Sequence, residues 1–299
     1  MKNQTPILPT NPADPTGADA LERSAMRALR VRVRRVRKAY ADAIERFDPE
    51  PLVTNARRYT YRLDPFVLNS VLQDLDGYID SLFLEGGVET GWFFQGYVEQ
   101  AYQRGTLQQH KNLARQSASY RGGTESLASL LRSEPYRRRL ALIASREFEE
   151  MKGLAGDLKA NMGRVLTDGL GRGMNPREIA KRLTSQAGIE ERRAERIART
   201  EVTTALRRAR LDEAQDAQDL YGLRSLEMHF SALSPTTRET HAARHGKLFT
   251  VDQQRDWWAE GANSINCKCS SITVLVDASN KPLFPAIIQR ARKMRKKEN

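Results

Sequence analysis

The chain has 299 residues, 39% of them hydrophobic and 29% charged, with a net charge of +12, a pI near 9.9 and a mean hydropathy of −0.62. That length suits about two domains. No apolar run is long enough to cross a bilayer, and the opening MKNQTPILPTNPADP lacks the apolar core of a secretory signal, so a soluble protein is expected. The positive charge favours a polyanionic partner, nucleic acid ahead of membrane.

Pro6, Pro9, Pro12 and Pro15 fall at every third residue, the period of a polyproline II helix. Residues 1–15 are therefore expected to be an extended arm, either docked on a partner or disordered. Thr16, with Asp19 three residues on, signals a helix start. Leu21, Ala25, Leu29, Val33, Val36, Tyr40, Ile44 and Phe47 then step by three or four, which predicts one long amphipathic helix over 16–47. Arg27, Arg30, Arg32, Arg34, Arg35, Arg37 and Lys38 occupy its other faces with no acidic residue among them. Of these, Arg27, Arg30, Arg34, Arg35, Arg37 and Lys38 are candidate phosphate contacts. The alternative is a solvated, Arg-rich helix in an interface.

Residues 48–170 read as mostly helical, punctuated at Glu85–Gly87 and Arg121–Gly123. The aromatic cluster Trp92, Phe93, Phe94, Tyr97 and Tyr102 has the spacing of a core helix. Further on, Asn175 is a predicted cap, Pro176 a first helical residue and Gly188 a stop. A second helix is expected to follow from Ile189, packed through Ala194, Ile197, Ala198, Ala205 and Ala209. Glu201 lies on that packed face and needs a partner, for which Arg199 and Arg238 are candidates.

Leu226, Met228 and Phe230 alternate with Glu227 and His229, as in a strand. A short helix is predicted from Ser234 to Gly246, with Ser234 as cap and Pro235 at its first position. Strands are predicted over 247–251 and 271–276, with a helix or turn carrying Trp257 and Trp258 between them. The C-terminal part thus reads as helices feeding a small sheet, and the whole chain as α+β with a mostly helical N-terminal region. Residues 278–299 read as a basic tail, with six basic residues between Arg290 and Lys297; Arg292, Lys293, Arg295, Lys296 and Lys297 are further candidate DNA contacts.

Both cysteines fall in the stretch from His241 to Cys269. Separated by one residue, they would close a strained ring, so thiols or metal thiolates are expected. His241 and His245 are one helical turn apart, and Cys267 and Cys269 share one side of an extended segment. Two nitrogens and two sulfurs facing each other would form a tetrahedral zinc site; the alternative is a packed, metal-free cluster. No local signature of a catalytic Cys–His pair or metal nuclease is present, and neither a Walker loop nor a dinucleotide fingerprint occurs, so no enzyme activity is expected.

Three blocks resemble the phage Mu F-like head morphogenesis proteins. They are MNPREIAKRL with RAERIARTEVTTAL, which contains Ala198, Thr200 and Glu201; SPTTRETHAARHGKLF, with Arg238, His241 and Gly246; and VDQQRDWWAEGANSINCKC, with Trp257, Cys267 and Cys269. The resemblance covers 171–277. It departs from the family pattern in the GANSIN turn, which replaces a Pro-rich one, and at Thr240 and His241, where some relatives carry cysteines. The resemblance implies a minor capsid protein in the virion head near the portal vertex, assembled in the host cytoplasm. Its implied partners are the portal protein, phage DNA and scaffold or major capsid protein, with no membrane. The alternatives are a DNA-directed nuclease or transferase on the same domain, and a transient assembly factor absent from the virion.

Overall fold

A computed structural model describes residues 3–53, 58–124 and 126–296. The elements in chain order are α1 (Asp19–Asp42), a 3-10 turn (Ala43–Phe47), β1 (Glu50–Pro51), β2 (Tyr59–Thr60), α2 (Pro65–Phe83), a π-helical turn (Phe94–Val98), α3 (Glu99–Gln116), α4 (Ala118–Gly123) and α5 (Leu127–Arg132). Then come α6 (Glu134–Gly171), α7 (Pro176–Tyr221), β3 (Ser225–Phe230), α8 (Glu239–Arg244), β4 (Leu248–Phe249), α9 (Val251–Ala259), β5 (Ser270–Leu275) and α10 (Ala286–Lys296). The fold is α+β and mainly helical. Two compact units are interleaved along the sequence. One comprises Met1–Arg23, Gln95–Ala141 and Arg199–Asn299; the other comprises Ser24–Phe94 and Leu142–Ala198.

The second unit is helical. Ala25, Leu29, Val33, Val36, Tyr40, Ile44 and Phe47 are all buried, so the predicted stripe is the packed face of α1 and its 3-10 extension. Val71, Leu75, Ile79 and Phe83 do the same for α2, which starts where the Asp64 carboxylate accepts from the Phe66 N–H at 2.7 Å ahead of Pro65. At the other end of the unit, Asn175 Oδ1 accepts from the Arg177 N–H at 2.9 Å and begins α7 as expected. Gly188, by contrast, does not stop the helix, and α7 runs unbroken for 46 residues. Leu183, Ala187, Glu190 and Ala194 are buried at three- and four-residue steps across that glycine. Continuous packing outweighs the roughly 1 kcal/mol helix penalty of one glycine.

The first unit holds the sheet. Its strands order as β4-β3-β5, all antiparallel, with Ser225 opposite Leu275 and Phe230 opposite Ser270. On one face Met228, Phe230, Ile272 and Val274 pack against Ile287 and Ala291 of α10. The stretch read as a basic tail therefore ends in an amphipathic helix that completes the core. Its apolar residues at 287, 288, 291 and 294 follow helical spacing between the cations. The proline arm is also part of this unit. The Ile7 N–H donates to Asn112 Oδ1 at 2.9 Å, the Gln4 N–H to the Arg115 carbonyl at 3.0 Å, and Pro6 and Pro15 are buried. This replaces the free arm expected from the sequence.

The second face of the sheet is buried too, although Glu227, His229, Ser271 and Thr273 are polar. Side chains of α3 answer it. Gln109 donates to Thr273 Oγ1, which donates to Glu227 Oε1. Asn112 Nδ2 and Gln116 Nε2 each donate to the Thr273 carbonyl at 2.9 Å, and Gln116 Oε1 accepts from the Leu275 N–H at 3.0 Å. These amides satisfy backbone groups of β5 as a further strand would.

Elsewhere in this unit Tyr120 donates its hydroxyl proton to Glu213, and Arg139 forms a two-pronged pair with Asp216 at 2.7 Å. Burial raises the Glu213 carboxyl to about 7, against the lowering effect of the Tyr120 hydroxyl. The folded chain thus holds this proton over a range where the unfolded chain, with an ordinary carboxyl near 4.5, has lost it. The contribution to stability is complete below about 4.5 and disappears as pH rises through about 7. Glu213→Gln is expected to match the parent near pH 4 and to exceed it by roughly 3 kcal/mol at pH 8 in urea melts. A pH-independent difference would show that Glu213 is not held protonated.

Candidate functional site: a buried thiol–imidazole cluster

Every group of this site belongs to the sheet unit. The α8 helix is shorter than expected, beginning at Glu239 with Arg238 as its cap residue, because 234–237 form a turn in which the Thr237 N–H donates to the Ser234 carbonyl at 2.8 Å. It ends at Arg244, and Gly246 takes a left-handed φ of 70° as its N–H donates to the His229 carbonyl at 2.9 Å. The following helix, α9, opens with a capping box in which Thr250 Oγ1 accepts from the Gln253 N–H and Gln253 Oε1 accepts from the Thr250 N–H. It carries Trp257 and Trp258 toward β3.

His241 projects from α8 to the segment entering β5. Its Nδ1 lies 3.4 Å from Cys267 Sγ and 3.6 Å from Cys269 Sγ, and all three side chains are buried. Cys267 Sγ also accepts from the Cys269 N–H at 3.4 Å, while the Cys269 thiol donates to Ser231 Oγ at 3.6 Å. Both cysteines are free thiols. The two sulfurs differ in character. The Cys269 thiol proton, the Arg207 guanidinium and His241 pull Cys267 down to about 3, against its burial. The same thiol–thiolate hydrogen bond and burial push Cys269 up.

Arg238 Nη1 donates to His241 Nε2 at 3.0 Å and to the Ala262 carbonyl at 2.9 Å, and Nη2 donates to the Ile265 carbonyl at 2.5 Å. Arg238 thereby ties α8 to the loop that delivers the cysteines. A guanidinium only donates, so His241 Nε2 accepts and its ring proton sits on Nδ1, facing the sulfurs. Arg207 on α7 braces the same loop from the other side. It donates to the carbonyls of Cys267, Cys269 and Ser264 at 3.4, 3.5 and 3.3 Å, and lies 4.8 Å from the Trp258 ring centre. Trp257 meets the His241 ring at 4.7 Å and 66°, and the His229 ring at 5.0 Å and 87°. Gln254 Nε2 donates to His229 Nδ1 at 3.2 Å, and burial holds His229 down to about 3, hence neutral.

Of the four metal ligands expected from the sequence, three come together. The fourth, His245, does not. It is the residue after the last turn of α8, so its ring leaves the helical face of His241. Its Nδ1 accepts from the Ser231 N–H at 3.1 Å and its Nε2 donates to the Ala291 carbonyl of α10 at 2.8 Å. His245 is thus a fastener between sheet and C-terminal helix. Thr200 joins the cysteine loop, accepting from the Asn266 N–H at 2.9 Å, and Glu201 is buried beside it in sequence. Arg199 pairs with Glu22 at 3.2 Å and Lys268 with Asp19 at 2.7 Å. Sequence reasoning missed Arg207, Ser231 and Gln254. Their signal is weak, consisting of an arginine on the small-residue face of α7, a serine just after β3 and a glutamine on α9.

The candidate DNA contacts divide into two groups. Within the helical unit Arg30 pairs with Glu195 at 2.8 Å and Arg34 with Glu191 at 3.0 Å, so the charge of these two arginines is partly met within the chain. Arg37 donates to Thr184 Oγ1 at 3.4 Å, and Lys38 pairs with Asp42 one turn on. Arg27 and Arg35 are exposed and meet no acidic partner among the described residues. Arg292 and Lys293 are exposed on α10; the side chains of Arg295 and Lys296, and all of Lys297, lie outside the described residues.

These features define an α+β domain in which a long helix, a three-stranded sheet and a Cys-Lys-Cys loop close on a buried cluster. Residues 160–272 match the family described as Phage Mu protein F like protein. No curated protein and no solved structure matches the chain. Among the described residues, no helix is long and apolar enough to cross a membrane.

Proposed function

We propose that the protein is a minor head component of a tailed phage, associated with the portal vertex, that acts in head assembly and in DNA packaging or ejection. The observation that carries this reading is the Mu F-like match over 160–272, supported by the contacts that Thr200, Arg238 and Trp257 make around the Cys-Lys-Cys loop. Quantitative mass spectrometry of purified, DNA-filled particles tests it. A few copies per particle, in fixed ratio to the portal, is the expected result. Absence from particles with abundance in the lysate would instead mark a transient assembly factor or an enzyme.

DNA contact in this reading is non-specific and electrostatic, supported by the net charge of +12 and by the exposed Arg27 and Arg35. Arg27→Ala and Arg35→Ala are each expected to reduce the slope of log affinity against log salt by about 1. Arg30→Ala and Arg34→Ala should reduce that slope less, since their charge is already partly met by Glu195 and Glu191. Fluorescence anisotropy on duplex DNA at several salt concentrations measures both, and an affinity indifferent to salt would refute the contact.

A further inference from the structure

We propose that Cys267 Sγ, Cys269 Sγ and His241 Nδ1 bind one zinc ion, with its fourth coordination position open to the cavity beside Arg238. This does not depend on the head-protein reading. The three donor atoms lie within 4.8 Å of one another and are the one such His/Cys/Asp/Glu group among the described residues. Their sulfur-to-nitrogen separations are 3.4 and 3.6 Å. A tetrahedral zinc with bonds of about 2.3 Å to sulfur and 2.0 Å to nitrogen separates the same atoms by about 3.5 Å. Both sulfur–nitrogen edges of the cluster therefore already match those of a zinc tetrahedron.

Two thiolates and an imidazole are a donor set that selects zinc over magnesium or calcium, whose preferred ligands are oxygens. With His245 turned to α10, no fourth protein ligand joins the group among the described residues. What faces the cluster instead is a cavity of about 160 Å³, lined among others by Ala232, Ser234, Thr237 and Arg238. Three protein ligands and an open position are the pattern of a zinc that takes an exchangeable ligand from solvent, not of a closed structural zinc. Arg207 and Arg238 brace the loop that presents both sulfurs.

Arg238 makes the proposal specific. In the metal-free chain it donates to His241 Nε2, which leaves the ring proton on Nδ1. Coordination through Nδ1 needs that proton on Nε2, and Nε2–H would then face another donor. Arg238→Gln supplies an amide oxygen that can accept it, the usual outer-shell arrangement of a zinc-bound histidine.

The test is cobalt(II) titration of the untagged, full-length, reduced protein, followed by zinc competition. The expected result is one cobalt per chain, with tetrahedral visible bands and a near-ultraviolet thiolate charge-transfer band that zinc abolishes. Cys267→Ser with Cys269→Ser should remove the charge-transfer band, and Arg238→Gln should tighten binding by about tenfold. Absence of a thiolate band in the parent protein overturns the proposal, whatever the variants do. Equal binding by the double serine variant also overturns it, and unchanged or weaker binding by a folded Arg238→Gln overturns the Nδ1 assignment.

Discussion

Gly105→Ala is expected to lower the stability of the sheet unit by about 2–3 kcal/mol or more, read as a fall in the urea midpoint. A Cβ at this position would lie 2.3 Å from the Leu206 carbonyl oxygen and 2.8 Å from Ala209 Cβ. These are backbone and near-backbone atoms of α7, so no rotamer change relieves the clash. Helices α3 and α7 would have to separate, and α3 carries the Gln109, Asn112 and Gln116 amides that hold β5. The same substitution at Gly188 is expected to act oppositely. A Cβ there meets nothing within 4 Å and the residue is helical, so Gly188→Ala should stabilise by about 0.5–1 kcal/mol. Two alanines of the same sign would refute the close crossing.

Ile287→Ala is the second large effect, with an expected loss of about 2–4 kcal/mol. Ile287 is 1% exposed and packs with Met228, Phe230, Ile272 and Val274, so truncation leaves a cavity against the sheet. Arg290→Gln with Lys293→Gln on the exposed side of the same helix should change stability by no more than about 0.5 kcal/mol. Urea melts of both variants separate a docked helix from a tail that serves only as charge. If Ile287→Ala unfolds at the parent midpoint, α10 is not part of the core.

The sequence made the periodic elements legible because their packing faces are written at fixed spacing. The α1 stripe from Ala25 to Phe47 and the strand at 225–230 are in the expected places. What it concealed depends on which groups meet across long separations. Alternation around Glu227 and His229 suggests one wet face, yet both residues are fully buried, because α3 brings a polar row at 109, 112 and 116 to meet them. That row follows helical spacing and could have been noticed as a polar stripe. The arginines of α1 looked uniform, but Glu191 and Glu195, some 160 residues away, distinguish Arg30 and Arg34 from Arg27 and Arg35. His241 and His245 share a helical interval, but the helix ends between them, and a one-residue boundary decided which histidine faces sulfur. Gly188 and the cations of α10 misled for one reason: local preference is worth about 1 kcal/mol or less, while a continuous apolar stripe is worth several.

The interleaving of the two units has a consequence for how the protein is made on the ribosome. The helical unit is complete in sequence at Ala198, so it can assemble while the last hundred residues are still being synthesised. The other unit draws on both early and late segments of the chain. Until β5 is translated, the amides of Asn112 and Gln116 and the arm around Ile7 have no sheet to join. Cys267 and Cys269 are accordingly among the last reactive groups to be enclosed, and both stay open to oxidants and stray metal ions during that interval. A released chain truncated just short of Ser270 should show them accessible to a maleimide, and the full-length chain should not.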